Sequence, residues 1–357
     1  MEVKRTKNPY DALLDVFEPR ITSETISHIF SDMKTGLMDI IDRCESIKPA
    51  IPDLRIKVPI ENQRKIAVFL ARFLGYDTST KDARGRIDET EHPFTTGYYD
   101  DVRITTHYYE DRFLSSIYSI LHEGGHAIYE QELPRDWMFQ PIGSACSMGI
   151  HESQSRFVEN MVGRSPEFLY FFLPKLKEMI PDISSLELNE LILAVNRVAP
   201  SKIRVEADEV TYGLHIIIRF EMEQDLFDGR LTIAELPTVW NEKYEEYLKV
   251  VVQNDSEGVL QDTHWAGGSF GYFPSYALGN IYGGMLLEAL QKDVPDWSNR
   301  IAEGSFMEVK SWLRDHVYKY GNLYDPGNLI QIVTGRKLSI EPFLKYLREK
   351  YSKLYNY

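Results

Sequence analysis

Apolar residues recur at intervals of three and four along most of this chain, and that spacing commits it to helices. Over residues 10–46 the series runs Leu13, Leu14 and Phe17, then Ile26, Phe30, Met33, Leu37 and Ile40, the stripe that one face of a helix buries. The same period returns over 60–74, 109–133, 150–162, 186–197, 206–226 and 238–252, and in two or three stretches after Ala277. One stretch departs from it. Between His92 and Tyr108, Thr95, Thr96, Tyr98 and Tyr99 precede Asp100-Asp101, and Val102, Ile104 and Thr106 follow in alternation. That pattern predicts a short hairpin about an acidic turn. A second irregular segment, DTHWAGGSFGYFPSYALGN at 262–280, mixes glycine with aromatic and polar residues, as binding loops do. No repeat or linker divides the chain, so the expectation is a mainly α fold with a small β-sheet, one unit over 1–357.

Composition narrows the partners. Lys+Arg number 40 against 54 Asp+Glu, a net charge of -14, which suits neither a phosphate backbone nor a nucleic-acid partner. A small anionic ligand is still compatible, because a few arginines in a cleft outweigh a negative surface. The most apolar run, LHIII at 214–218, falls far short of the ~20 residues that span a bilayer. The N-terminal MEVKRTKNPYDALLDVFEPR lacks the apolar core of a secretory signal. The expected setting is therefore cytoplasmic, with no membrane partner. Cys44 and Cys146 are too few for a disulfide framework and read as small buried hydrophobes.

The chemistry concentrates in His122-Glu123-Gly124-Gly125-His126, inside a helical stretch. Histidines at i and i+4 share one helix face and can clamp a divalent ion. Glu123 is turned about 100° from His122, placed to act as a general base on water that the ion polarises rather than to ligate. Two glycines inside a helix cost about 1 kcal/mol each, so they imply close approach by another backbone or a substrate. A hydrolytic site wants a third protein ligand and one open position. Glu130 would stand about 6 Å further along the axis, too far to close the sphere. Glu152 opens the next helical stretch and can return opposite the pair, with His151 as its competitor, since adjacent residues point about 100° apart.

At this point the chain resembles the carboxypeptidase Taq family of metallocarboxypeptidases, peptidase family M32. Five ordered motifs carry the resemblance: Asp101-Val102-Arg103-Ile104-Thr105, the motif at 122–126, HESQ at 151–154, IRVEAD at 203–208 and GVLQDTHW at 258–265. The opening NPYDALLDVFEP and the closing EPFLKYLREKYSKLY are also similar to that family. The resemblance implies a helical fold of two lobes around a deep groove, gluzincin-like, and removal of C-terminal residues from peptides with broad specificity. It implies His122, His126 and Glu152 as ligands of one divalent ion, Zn2+ or Co2+, with Glu123 activating water. It implies His264 and Tyr272 as stabilisers of the oxyanion, and a homodimer. Family members carry a further N-terminal helical segment that walls the groove, whereas Met1 here stands almost directly before NPYDALLD. A form lacking that segment is expected to have a more open groove, which keeps two alternatives in view: an oligopeptidase cutting internal bonds, or a weakened enzyme.

A carboxypeptidase must also read a free α-carboxylate, for which arginine's planar fork is suited. Arg103 in the hairpin and Arg204 at a helix start are the candidates, with pairing to Asp101 or Asp208 as the competing role. Gln261 and Tyr276 are expected to contact substrate. Asp262 or Asp101 is expected to orient a ligating histidine, and Trp265 to sit in the core.

Overall fold

The computed structural model describes residues 6, 8–47 and 49–357; the first five residues, where the short start is expected, lie outside them. The helical stripes become α1 (Pro9–Phe17), α2 (Ser23–Ile47), α3 (Ile60–Phe73), α4 (Phe113–Gln131), α5 (Met148–Arg156), α6 (Pro166–Met179) and α7 (Leu188–Val195). Then come α8 (Tyr212–Phe227), α9 (Leu236–Leu248), α10 (Phe273–Asp293), α11 (Trp297–Ala302), α12 (Met307–His316), α13 (Pro326–Thr334) and α14 (Glu341–Tyr355). The fold is mainly helical with one small sheet.

Several boundaries differ from the sequence reading. The 10–46 stripe is two helices, because Pro19 cannot continue α1 and Arg20 turns the chain at φ 67°. Helix α6 was not anticipated; Pro174 interrupts its sequence, yet Phe168, Leu169, Phe172, Leu173 and Leu176 form a buried stripe. The loop expected over 262–280 stops at Tyr272, since Phe273-Pro274 opens α10, proline being suited to a first helical turn.

The expected hairpin forms. Strands β2 (Thr95–Tyr98) and β3 (Asp101–Thr106) pair antiparallel, with Thr95 opposite Ile104 and Thr96 opposite Arg103. A third strand, β1 (Gly85–Glu89), adds to β3 in parallel, giving the order β1-β3-β2. Val102 and Ile104 bury one face of β3, and alternation turns Arg103 to the other.

Helix α5 lies between α4 and α10, and glycine makes that possible. A Cβ on Gly125 would stand 2.6 Å from the Gln154 carbonyl oxygen and 2.7 Å from Ser155 Cα; one on Gly279 would stand 2.5 Å from Glu152 Cγ. Backbones this close exclude any side chain. Gly124 serves the same end toward Leu74 Cδ1, at 2.4 Å.

Two buried glutamates fasten α1 to this core. Glu18 accepts from Ser147 Oγ, Gly149 N and Tyr282 Oη at 3.0, 2.9 and 2.8 Å. Glu223 accepts from Tyr10 Oη, Trp265 Nε1 and Gly271 N at 2.7, 2.7 and 3.0 Å. Burial pushes each carboxyl up to about 7, because the charged form loses its water. Cys44 and Cys146 are free and buried, as the sequence implied.

Candidate metal centre

Helix α4 presents His122 and His126 one turn apart, their ring centroids 5.0 Å from each other. Ser147 caps α5 by accepting from Ile150 N at 3.0 Å, and α5 carries Glu152 across. Glu152 Oε2 lies 3.7 Å from His122 Nε2 and 3.4 Å from His126 Nε2, and one donor atom from each residue falls within 4.8 Å of the others. These separations are too long for direct hydrogen bonds. They do match a tetrahedral ion, since bonds of about 2.1 Å set donors about 3.4 Å apart. The donor set, two imidazoles and a carboxylate, fits a divalent ion. Glu152 is buried while both histidines stay partly exposed, so one side of the site is open.

Each of these three side chains is held from behind. His122 Nδ1 donates to Glu159 Oε2 at 2.9 Å; Glu159 sits in a π-helical turn, Phe157–Val162, that prolongs α5, the kind of irregularity functional sites favour. His126 Nδ1 is 2.6 Å from His151 Nδ1, and His151 Nε2 is 2.8 Å from Glu130 Oε1. Arg156 Nε donates to Glu152 Oε1 at 2.8 Å and Ser155 Oγ to Oε2 at 3.2 Å, while the Arg156 guanidinium lies 3.9 Å over the Tyr212 ring. Burial alone would raise the Glu152 carboxyl; Arg156 and the histidines overcome it and hold Glu152 far below the usual carboxylate range. Glu159 is held low likewise, burial being outweighed by Arg156, His122 and Arg164.

Glu123, beside His122, reaches toward the sheet, where Thr95 Oγ1 donates to its Oε2 at 2.7 Å. It is 6% exposed, and burial raises its carboxyl above the ordinary value. A carboxylate so placed is a stronger base than one in water.

Along α10, Tyr276, Gly279 and Gly283 share one face at helical spacing, and Gly279 touches Glu152. Tyr276, and Tyr272 just ahead of α10, thus stand successive turns beyond Glu152, their rings 5.0 Å apart. His264 Nε2 is 3.1 Å from Tyr276 Oη, its ring stacked 5.4 Å from Tyr272. Burial, with Arg204 nearby, depresses His264 to about 4, so it is neutral at pH 7. Phe17 of α1 meets Tyr272 edge-on at 4.9 Å.

A family model described as "Carboxypeptidase Taq (M32) metallopeptidase" matches residues 1–351. The chain belongs to that family. It is 44% identical over 349 residues to "Thermostable carboxypeptidase 1" of Thermus thermophilus, covering 97% of this chain and 68% of the relative. It is 41% identical over 353 residues to "Carboxypeptidase 1" of Bacillus subtilis, covering 98% and 70%. The crystal structure of an M32 carboxypeptidase from Deinococcus radiodurans R1 superposes with a TM-score of 0.96 at 35% identity, covering 99% of this chain and 71% of that one. M32 membership makes the chain a metal-dependent carboxypeptidase, a peptide hydrolase.

Within this M32 chain, some residues singled out in the sequence converge and others do not. His122, His126 and Glu152 meet, with Glu123 alongside, and His264 of the preceding loop joins Tyr272 and Tyr276 at the start of α10. Arg103 does not join them. Its fork grips Asp101 at 2.8 and 2.7 Å on the face of β3 opposite Ile104, whereas Thr95, opposite Ile104, is the residue that reaches Glu123. Arg204 is buried and already engaged, with Nε and Nη2 on Asp262 Oδ1 at 2.9 and 2.6 Å and Nη1 on Tyr212 Oη at 3.3 Å. Gln261 accepts from Arg204 N and Arg219 Nη2 and donates to the carbonyls of Lys202 and Glu257, which exhausts it. Asp262 and Asp101 pair with arginines, and the side chains that meet His122 and His126 at Nδ1 are Glu159 and His151. Trp265 is half-buried and spends its indole N–H on Glu223.

Glu159, Arg156 and Tyr212, and the part Thr95 of the hairpin plays at Glu123, are not among the residues the sequence points to. Glu152, Arg156 and Glu159 stand at i, i+4 and i+7, a charged stripe on one helix face that could have been read.

Proposed function

We propose that the chain removes residues of broad identity from the free C-termini of peptides. The observation that carries this reading is the convergence of His122, His126 and Glu152 with Glu123 buried beside them. His122, His126 and Glu152 would hold Zn2+, with Co2+ also suited to the donor set. When bound, the ion polarises a carbonyl and makes water more acidic. Glu123, desolvated and steadied by Thr95, takes the proton from water and returns it to the leaving nitrogen. His264 and Tyr272 donate to the oxygen that gains charge, with Tyr276 ordering His264 at 3.1 Å. Arg204 supports this side through Tyr212 and Asp262 rather than by gripping the substrate itself.

The chain forms one catalytic unit of two helical lobes. The reading places it in the cytoplasm as a homodimer; among the described residues no helix is long and apolar enough to cross a membrane.

The deciding experiment uses an N-blocked dipeptide and its C-terminal amide. The free acid should release its last residue when Zn2+ or Co2+ is supplied and fall silent with chelator, while the amide loses nearly all turnover. An amide cleaved as fast as the acid, or cleavage at internal bonds of longer peptides, would replace this reading with that of an oligopeptidase.

A further inference from the structure

His151 precedes a proposed metal ligand, yet neither of its ring nitrogens is available to an ion. Nδ1 faces His126 Nδ1 at 2.6 Å, and Nε2 faces Glu130 Oε1 at 2.8 Å. The ring is tilted by 48° against His126, centroids 4.6 Å apart, and meets Tyr129 edge-on at 5.2 Å. Glu130, one turn beyond His126 on α4, is too far along the axis to ligate, but it closes this chain of contacts.

The protons in such a chain can be assigned. A carboxylate only accepts, so the proton between Glu130 and His151 belongs to His151 Nε2. In a neutral imidazole that leaves His151 Nδ1 as an acceptor. The proton in the 2.6 Å contact is then carried by His126 Nδ1, and the lone pair of His126 falls on Nε2, the atom that faces Glu152. His122 reaches the same tautomer in one step through Glu159. His126 needs two.

We propose that Glu130 and His151 form a tautomer relay that fixes His126 as an Nε2 donor, which makes His151 a positioning residue and not a ligand. The proposal rests on the reading of His122, His126 and Glu152 as metal ligands. Partners of this kind typically change metal affinity by about 10–100-fold. The relay therefore sets how tightly the ion is held, independently of any peptide.

The test reads Zn2+ affinity directly, by competition with a chromophoric chelator on metal-stripped full-length protein, no substrate being present. His151→Phe keeps a ring but no acceptor, and its Kd should rise about 10–100-fold. His151→Asn can offer Oδ1 to His126 Nδ1 and should stay within about threefold of the parent, a rescue that a packing role would not give. Glu130→Ala should weaken binding severalfold, and combined with His151→Phe it should add nothing further, as expected within one network. Circular dichroism and thermal melts of the metal-free proteins confirm folding; if His151→Phe fails to fold, the Asn and Glu130→Ala pair carries the comparison. Equal affinities for the Phe and Asn variants, or Glu130→Ala indistinguishable from the parent, would overturn the relay. A parent protein that takes up no Zn2+ would overturn the ligand assignment beneath it.

Discussion

Glu123 and its neighbours differ in what one atom can change. Replacing Glu123 by Gln keeps the shape and the Thr95 contact but removes the base. General-base groups contribute about 10²–10⁴-fold, so kcat on a blocked dipeptide should drop by about 10³-fold with bound metal unchanged by elemental analysis. Turnover within tenfold of the parent would sink the assigned role. At this scale the sequence discloses whatever depends on near neighbours. The two histidines and Glu123 follow from helical spacing, which leaves Glu152 and His151 in competition; the resemblance to the M32 family favours Glu152. Arg103, Arg204 and Gln261 could not be read that way, because chain order says little about which charge a fork will meet. Arg204 finds Asp262 at 2.6 Å, 58 positions away, and Arg103 turns out from the sheet to Asp101, two positions away. A surface pairing and a substrate contact look alike in one dimension.

Helices α4, α5 and α10 form a three-layer sandwich whose spacing depends on hydrogen atoms where other residues carry carbon. Gly125→Ala should improve intrinsic helix propensity by about 1 kcal/mol. The new Cβ meets a carbonyl at 2.6 Å and a Cα at 2.7 Å, however, and overpacking of this kind costs about 1–3 kcal/mol. The variant should melt lower in urea and bind Zn2+ more weakly, because α5 carries Glu152; a variant as stable as the parent would show that α5 can move away freely. The sequence pointed to close approach at these glycines, and the partner of Gly125 is a backbone. It concealed β1, whose Arg86, Asp88 and Glu89 look like a solvated loop, and α6, hidden by Pro174. Both owe their state to neighbours: β3 supplies the ladder for one, and the buried stripe of the other outweighs its proline.

For the molecule as a whole, the two carboxyls that anchor α1 tie stability to pH. Glu18 and Glu223 ordinarily titrate near 4.5 and are pushed to about 7 in the folded state. The folded protein therefore binds more protons between these values, and stability from each group is complete below about pH 4.5 and is lost as pH rises through 7. At about 1.4 kcal/mol per unit, the loss is on the order of 3 kcal/mol per group. Urea denaturation at pH 5, 6 and 7 should show Glu18→Gln gaining on the parent as pH rises; a constant gap between the two would refute the assignment. This coupling had no signature in the sequence, since the glutamates differ from their exposed counterparts only in what finally surrounds them.

The bond from Tyr282 to Glu18 joins residues 264 positions apart, and that from Tyr10 to Glu223 joins residues 213 apart. Loops this long are expensive to close early, and contacts of such separation form late in folding. Helix α1 leaves the ribosome before α5, α8 and α10, yet its seat is built from them, so it must wait until α10 has been synthesised. Phe17 reaches Tyr272 only after that docking, which makes the Tyr272 side of the centre one of the last parts of the enzyme to be completed.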